Sequence, residues 1–279
     1  MAAASAVPTP VVGPVWSHNC SFDELAVLFE VSEAGDVLDT GPGWPRRWSA
    51  TWRTAQGEIV TPVRDLAAFE WPVSRPARAF AWRPGQRHRP GLAYMSATGR
   101  LHGFESLAER RVLLALDFVG GVTEVLSQPF TLKFTTHERP VRHAPDFLAL
   151  TDGTALLIDV RPADLIKPDD AEKFAAAQRA AGAAGWTYAV VAGWRLQPWA
   201  ALEALSARRR AMSDPLRLLP ELLGLAAEQP RRLGELVAAT SQPALARAYV
   251  LHLLWSRRLT VDLALPLGDE SWVYLPRRG

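Results

Sequence analysis

The sequence predicts a mixed α/β fold, and this prediction rests on three observations. Residues Glu105 to Phe118 have the spacing of an amphipathic helix, with Leu113 and Leu116 on the apolar face. Two short apolar stretches flank Thr151-Asp152-Gly153, as the strands of a hairpin do. An alanine-rich helix and a further apolar strand follow. Helix, three or four strands, helix and strand in this order predict helices packed on a sheet.

Each element of this region has a recognisable local pattern. A glycine pair ends the first helix, because glycine readily adopts the left-handed conformation that closes helices. In chain order the predicted elements are a helix from Glu105 to Phe118, strands from Val122 to Phe130 and Thr131 to Thr136, a polar turn from His137 to Arg142, hairpin strands from Phe147 to Leu150 and Ala155 to Val160, a helix from Ala171 to Ala184 and a strand from Thr187 to Val191.

The composition is that of a folded protein. Its 279 residues suffice for one large domain or two ordinary ones, with 48% hydrophobic and 22% charged residues. The formal net charge of +2 means that contact with nucleic acid requires local basic patches. Cys20 is the single cysteine, which excludes a disulfide framework and a Cys-rich zinc site. No apolar run approaches the roughly 20 residues of a membrane span, and the N-terminus lacks signal-peptide features. We expect a cytoplasmic protein that does not bind membranes.

Five segments are predicted along the chain. Residues 1–14 are expected to be a disordered lead-in, and residues 15–100 a β-rich region with a strand from Leu25 to Val31 and a hairpin around Ala55-Gln56-Gly57. Residues 101–205 form the α/β core, and residues 206–215, with three consecutive arginines, a linker. Residues 216–279 contain three helices, from Leu216 to Glu228, Arg231 to Thr240 and Pro243 to Arg258, and a hairpin from Val261 to Leu275, which is the pattern of a winged-helix domain.

Two features of the N-terminal region bear on nucleic-acid binding. Six of the eleven tryptophans lie between Trp16 and Trp82, where they either build an aromatic core or stack on bases. The segment from Trp82 to Gly91 is basic and rich in proline and glycine, as an exposed loop is. This loop is either simply solvated or contacts phosphate through Arg83, Arg87, His88 and Arg89.

Three carboxylates are candidates for one metal site. Asp146 follows a proline, which keeps the chain extended at that point. Asp159 lies two residues before Arg161 on a strand, so the two side chains share a face. Glu109 follows Ser106 by three residues, which is also the spacing of a helix capping box. Carboxylates beside a cation are what metal-dependent phosphodiester cleavage needs.

The order of these motifs resembles a known family. Ser106-x-x-Glu109, Gln128-Pro129, His143-x-Pro-Asp146-Phe147 and Asp159-x-Arg161 follow one another as in the PD-(D/E)xK nuclease core. More narrowly, the chain resembles the TnsA-like endonuclease subunit of heteromeric transposases, closely over about residues 80 to 200 and more loosely to the C-terminus.

The resemblance implies a restriction-endonuclease-like core and a set of roles. Mg²⁺, or Mn²⁺ in its place, would be held by Glu109, Asp146 and Asp159, with Glu105 as the substitute helix carboxylate. Gln128 would position backbone near the site, and His143 would contact DNA phosphate, since Mg²⁺ prefers oxygen ligands. The implied partners are double-stranded DNA, a DDE-type transposase or integrase subunit, and an ATP-binding transposition regulator.

The chain departs from the family at the acid-x-base tripeptide. The family has lysine where this sequence has Arg161, and arginine cannot give up its proton to help activate water. Arg161 can still neutralise charge on the scissile phosphate. Lys167 or Lys173 is an alternative source of an ammonium group, and an inactive site is a third possibility. The function predicted is DNA cleavage at transposon ends; a restriction- or repair-type nuclease and a non-catalytic DNA-binding or scaffolding protein are the alternatives.

Overall fold

The computed structural model describes residues 13–31, 34–69, 74–77, 90–151 and 153–276. Its helices are α1 Phe22–Leu25, α2 Trp44–Arg47, α3 Leu107–Val119, α4 Pro168–Ala183, α5 Leu196–Ser206, α6 Leu218–Glu228, α7 Leu233–Ala238 and α8 Pro243–Trp255. Its strands are β1 Ala26–Leu28, β2 Ser49–Thr54, β3 Gly57–Pro62, β4 Ser74–Arg75, β5 Gly91–Met95, β6 Arg100–Phe104, β7 Val122–Ser127, β8 Thr131–Thr135, β9 Pro140–His143, β10 Phe147–Thr151, β11 Thr154–Val160, β12 Thr187–Trp194, β13 Arg231–Arg232 and β14 Trp272–Val273. Short 3-10 turns cover Ala34–Val37, Val63–Ala68 and Ala163–Leu165.

The chain divides into two compact units, and the first contains residues 27–113 and 120–193. Its main sheet has the strand order β1-β12-β11-β10-β7. Strands β7, β10 and β11 are antiparallel neighbours, whereas β12 runs parallel to β11 after the crossover through α4. The mixed α/β fold predicted from the sequence is therefore confirmed.

A second sheet in this unit has the order β3-β2-β8-β9, with β4 also paired to β2. Strands β8 and β9 form a hairpin inserted between β7 and β10, so the chain leaves the main sheet and returns to it. One hydrophobic core includes residues of both sheets and of α4. Trp48 and Trp52 are fully buried in it, beside Leu148, Leu157 and the alanines of α4. These two tryptophans therefore build a core.

Local sequence explains where helices α3 and α4 begin. Ser106 caps α3 by accepting a hydrogen bond from the Glu109 backbone N–H, and Gly120 and Gly121 follow its end with positive φ. Pro168 opens α4, and the Asp170 carboxylate accepts from the Lys167 backbone N–H at 3.2 Å. Acidic residues in this first turn also suit the positive end of the helix dipole.

Of the described residues, the second unit contains 13–26, 114–119 and 194–276. Helices α6, α7 and α8 pack around buried leucines, among them Leu222, Leu236 and Leu253. Strands β13 and β14 pair antiparallel, with Arg231 opposite Val273. Among the described residues of both units, no helix combines the length and the apolar character that a membrane span requires.

Four local predictions need correction. Residues 140–143 form β9, an edge strand with Pro140 at its start and Val141 buried, so the polar turn is shorter than predicted. Glu105 precedes the N-cap of α3 and does not lie on the helix. The strand expected from Leu25 begins one residue later, because residues 22–25 form a helical turn. The segment from Val261 to Leu275, predicted as a hairpin, contains β14, which pairs with β13, and Tyr274 forms an isolated bridge with Thr260, just before the segment.

Candidate active site

An open cavity of about 420 Å³ in the first unit collects most of the charged residues that the motifs single out. Its acidic side chains are Asp146, Asp159 and Asp170. Its basic side chains are Arg142, His143, Arg161 and Lys173. A cavity that offers both hard oxygen ligands and cations suits a bound metal ion together with a phosphate.

The hairpin register brings Asp146 and Asp159 to the same end of β10 and β11. Phe147 pairs with Ile158, so Asp146 precedes the paired residue on one strand and Asp159 follows it on the other. The Asp146 backbone N–H donates to the Ile158 carbonyl at 3.0 Å. Its carboxylate accepts at Oδ2 from the Val160 backbone N–H at 2.7 Å. These bonds fix the Asp146 side chain beside the strand that carries Asp159.

Asp159 is almost fully buried and accepts two side-chain hydrogen bonds. Oδ2 accepts from His143 Nε2 at 2.9 Å and from the Tyr188 hydroxyl at 2.6 Å. Burial raises the pKa of Tyr188 well above its ordinary value, and the negative charges of Asp159 and Asp146 raise it further. The Tyr188 hydroxyl therefore keeps its proton and donates a hydrogen bond to this carboxylate.

Two cations of the cavity, Arg161 and Lys173, contact Asp170 on the first turn of α4. Arg161 Nε lies 3.3 Å from Asp170 Oδ2 and also donates to the Leu165 carbonyl at 3.1 Å. Lys173 Nζ lies 3.6 Å from Asp170 Oδ1. Lys167, the other lysine considered above, is exposed and is not among the lining residues. Of the two lysines, Lys173 is the one at the cavity.

Glu109 is engaged in capping α3. Oε2 accepts from the Glu105 backbone N–H at 2.7 Å, and Oε1 accepts from Ser106 Oγ at 2.9 Å. Glu109 is buried, and neither it nor Glu105 is among the residues that line the cavity. The spacing Ser-x-x-Glu thus serves helix capping, with Glu109 bound to the backbone N–H of Glu105, the residue before the N-cap Ser106.

Gln128 joins the site through its backbone. Its N–H donates to the Asp146 carbonyl at 2.7 Å, and its carbonyl accepts from the Ala77 N–H at 2.8 Å. Its φ of 46° is unusual for a residue other than glycine, and neither polar atom of its fully buried amide has a hydrogen-bond partner among the residues that the structure describes. Such strain persists only where surrounding structure enforces it. Gln128 therefore supports the segment that carries Asp146.

The structure gives no information on the predicted DNA-binding residues of the basic loop, nor on residues 1–12 of the predicted lead-in. Arg83, Arg87, His88 and Arg89 all lie outside the described residues. Their contact with DNA phosphate stays a prediction.

The side chains at the cavity can be compared with the ligands that a bound Mg²⁺ ion requires. Within the described ranges, no three His, Cys, Asp or Glu side chains lie close enough together to hold one ion. Two carboxylates, Asp146 and Asp159, do line the cavity. Mg²⁺ keeps several water ligands and is commonly held by one or two carboxylates. The donor set at the cavity fits such an ion.

No known family model matches the chain, and no curated protein is significantly similar to it. The resemblance to TnsA-like endonucleases therefore rests on the order and spacing of the motifs.

Three residues at the site, Tyr188, Arg142 and Asp170, are not among the residues predicted from the sequence. Tyr188 lies in an apolar strand, where a tyrosine is ordinary. Arg142 belongs to a predicted turn. Asp170 directly precedes a predicted helix. Only Asp170 had a usable signal, since an acidic residue two positions after a proline is typical of a helix start.

Proposed function

We propose that this protein is a metal-dependent endodeoxyribonuclease. The observation that carries the proposal is the meeting of Asp146 and Asp159 at one cavity with Arg161 and Lys173. Two hard carboxylates beside two cations match the needs of phosphodiester hydrolysis, in which charge develops on the phosphate.

The topology of the first unit supports the proposal. With the inserted β8–β9 hairpin set aside, helix α3 is followed by the antiparallel strands β7, β10 and β11, then by α4 and by β12, which is parallel to β11. This is the arrangement that the resemblance to PD-(D/E)xK nucleases implies, and the two acidic motifs fall on its central hairpin. We propose that the unit has a restriction-endonuclease-like core.

Each cavity residue has a role in this proposal. Asp146 and Asp159 would hold the Mg²⁺ or Mn²⁺. A bound ion of this kind polarises a phosphoryl oxygen and acidifies a water ligand. Arg161 would neutralise charge on the phosphate, for which its permanent charge suffices. Lys173 would supply the ammonium group that the family has at the position of Arg161.

A narrower proposal follows from the full order of motifs. In this proposal the chain is the endonuclease subunit of a heteromeric transposase. It would act at transposon ends, together with a DDE-type transposase and an ATP-binding regulator. The three helices and the β13–β14 pair of residues 216–279 support a winged-helix-like domain. We propose that this domain binds protein, because the first turn of α8 presents Leu245 to solvent and no polar group suited to base edges.

One observation favours a second candidate, a non-catalytic DNA-binding or scaffolding protein. Within the described ranges the cavity offers two of the three carboxylates that the resemblance implies, since Glu109 caps its helix.

A nicking assay tests the proposal. Supercoiled plasmid carrying a transposon end is incubated with the purified chain and its partner subunits in Mg²⁺, and again with a chelator. We expect nicked product only with metal, and none with Asp146→Asn. Metal-dependent binding without any cleavage would favour the second candidate. Cleavage that persists in the chelator would exclude a metal nuclease.

A further inference from the structure

Two hydrogen-bond donors meet at one oxygen of the Asp159 carboxylate. His143 Nε2 and the Tyr188 hydroxyl both contact Oδ2, at 2.9 Å and 2.6 Å. Among the described residues, no hydrogen bond is formed to Oδ1, although Asp159 lines the cavity. The two oxygens of this carboxylate are thus unequal before any ligand binds.

The donors come from different parts of the fold. Tyr188 pairs with Leu157 in the parallel register of β11 and β12, so its side chain shares a face of the sheet with Asp159. His143 ends β9 in the second sheet. A carboxylate held from two independent elements cannot rotate without breaking both bonds.

The charge and chemistry of the donors bear on what Oδ1 can bind. A tyrosine hydroxyl has a single proton, which is donated to Oδ2, and the His143 nitrogen that faces Asp159 must also carry a proton. Oδ2 is thereby saturated with donors and is a poor ligand for a cation. Oδ1 keeps its capacity to accept, on a cavity that contains a second carboxylate, Asp146.

We propose that Tyr188 is a positioning residue that, together with His143, holds Asp159 by Oδ2 and so presents Oδ1 to a divalent cation. The inference rests on the proposed function, because the cation is the ligand that this function requires. Outer hydrogen bonds of this kind orient metal ligands, and their loss typically weakens metal binding by about 10- to 100-fold.

The test measures metal binding by the full-length chain, without relying on cleavage. Mn²⁺ is titrated calorimetrically into wild type, Tyr188→Phe and the matched control Tyr249→Phe. Tyr249 also donates its hydroxyl, to the Ser213 carbonyl at 2.9 Å, but it is not at the cavity. We expect about a 10-fold or larger loss of Mn²⁺ affinity in Tyr188→Phe. The control should bind Mn²⁺ like wild type. The melting temperatures of the two variants should fall below that of wild type by similar amounts.

A second measurement keeps the Tyr188 hydroxyl, and so does not depend on whether Tyr188→Phe folds. The protein has four tyrosines, and 3-fluorotyrosine can replace all of them with the hydroxyls kept. Tyrosine-to-phenylalanine variants of the other three positions assign the ¹⁹F resonances. Adding Mg²⁺ should shift the Tyr188 resonance and leave that of Tyr249 in place.

The outcomes separate this inference from the proposed function. Wild type that binds Mn²⁺, with Tyr188→Phe binding it equally tightly, would overturn the role of Tyr188 alone. An unmoved Tyr188 resonance on saturation with Mg²⁺ would do the same. Wild type that binds neither ion would overturn both the metal-nuclease proposal and this inference.

Discussion

His143 Nε2 and Asp159 Oδ2 lie 2.9 Å apart and connect two different sheets. His143 ends β9 in the second sheet, and Asp159 is near the end of β11 in the main sheet. The chain crosses from one sheet to the other through Ala144-Pro145-Asp146. This one crossing therefore places Asp146 at the cavity and His143 next to Asp159.

Asp146→Asn and Asp159→Asn should each abolish Mg²⁺-dependent nicking while the protein stays folded. Each change removes the negative charge that a hard cation requires but keeps the size of the side chain. We expect rates to fall by more than about 100-fold, beyond the loss typical of outer-shell changes. Nicking rates and melting temperatures are the measurements. Asp164→Asn, an exposed position outside the cavity, is the control, and wild-type rates in either test variant would remove that residue from the site.

The cation beside the phosphate is tested at three positions. Arg161→Ala should lose most nicking activity, and Arg161→Lys should retain part of it, because a positive charge is kept with different geometry. Lys173→Ala should also be slower, whereas Lys167→Ala, on the same segment but away from the cavity, should match wild type. Normal cleavage by Arg161→Ala together with inactive Lys173→Ala would transfer the role to the lysine.

Glu109→Gln separates helix capping from metal binding. Both carboxylate oxygens of Glu109 already accept hydrogen bonds at the start of α3. We expect a loss of about 1 kcal/mol in the free energy of unfolding, as for other capping residues. Mn²⁺ affinity, measured by calorimetry, should be retained. A loss of affinity as large as that of Asp146→Asn would restore Glu109 as the third ligand.

Helix α8 should not be the DNA-reading element of the second unit. Leu245 is 48% exposed in its first turn, and Arg247 is paired with Asp269. Leu245→Ser and Arg247→Ala should leave the affinity for transposon-end DNA unchanged, as measured by fluorescence anisotropy. If the transposase-subunit proposal is correct, Leu245→Ser should weaken binding of the proposed ATP-binding regulator, with the exposed Leu196→Ser as control. Reduced, sequence-dependent DNA affinity in the α8 variants would contradict the assignment.

Stability should decline at alkaline pH through Cys20. Burial, together with the nearby Glu24 charge, raises the pKa of the thiol from 9.0 to about 12, although Arg257 opposes this shift. Because the folded-state pKa lies above the unfolded one, the contribution of the protonated thiol is complete below pH 9.0 and is lost as pH rises towards about 12. Melting temperatures across this window should fall less for Cys20→Ala. Parallel curves for the two proteins would refute the effect.

The sequence by itself determined the elements and the residues whose roles depend on local spacing. Alternation and turn chemistry identified the β10–β11 hairpin, and with it the proximity of Asp146 and Asp159. The spacing from Ser106 to Glu109 predicted a helix start. These features depend on neighbours within a few residues, so local patterns carry them.

Only the tertiary structure decided which distant groups serve Asp159. The Tyr188 contact depends on the parallel register of β12 with β11, two strands that are separated in the chain by helix α4. The His143 contact depends on the pairing of β9 with β8, in a segment that resembles a polar turn. The choice of Lys173 over Lys167 depends on where the first turn of α4 meets the cavity. Such contacts join residues far apart in the chain, and no local pattern specifies their register.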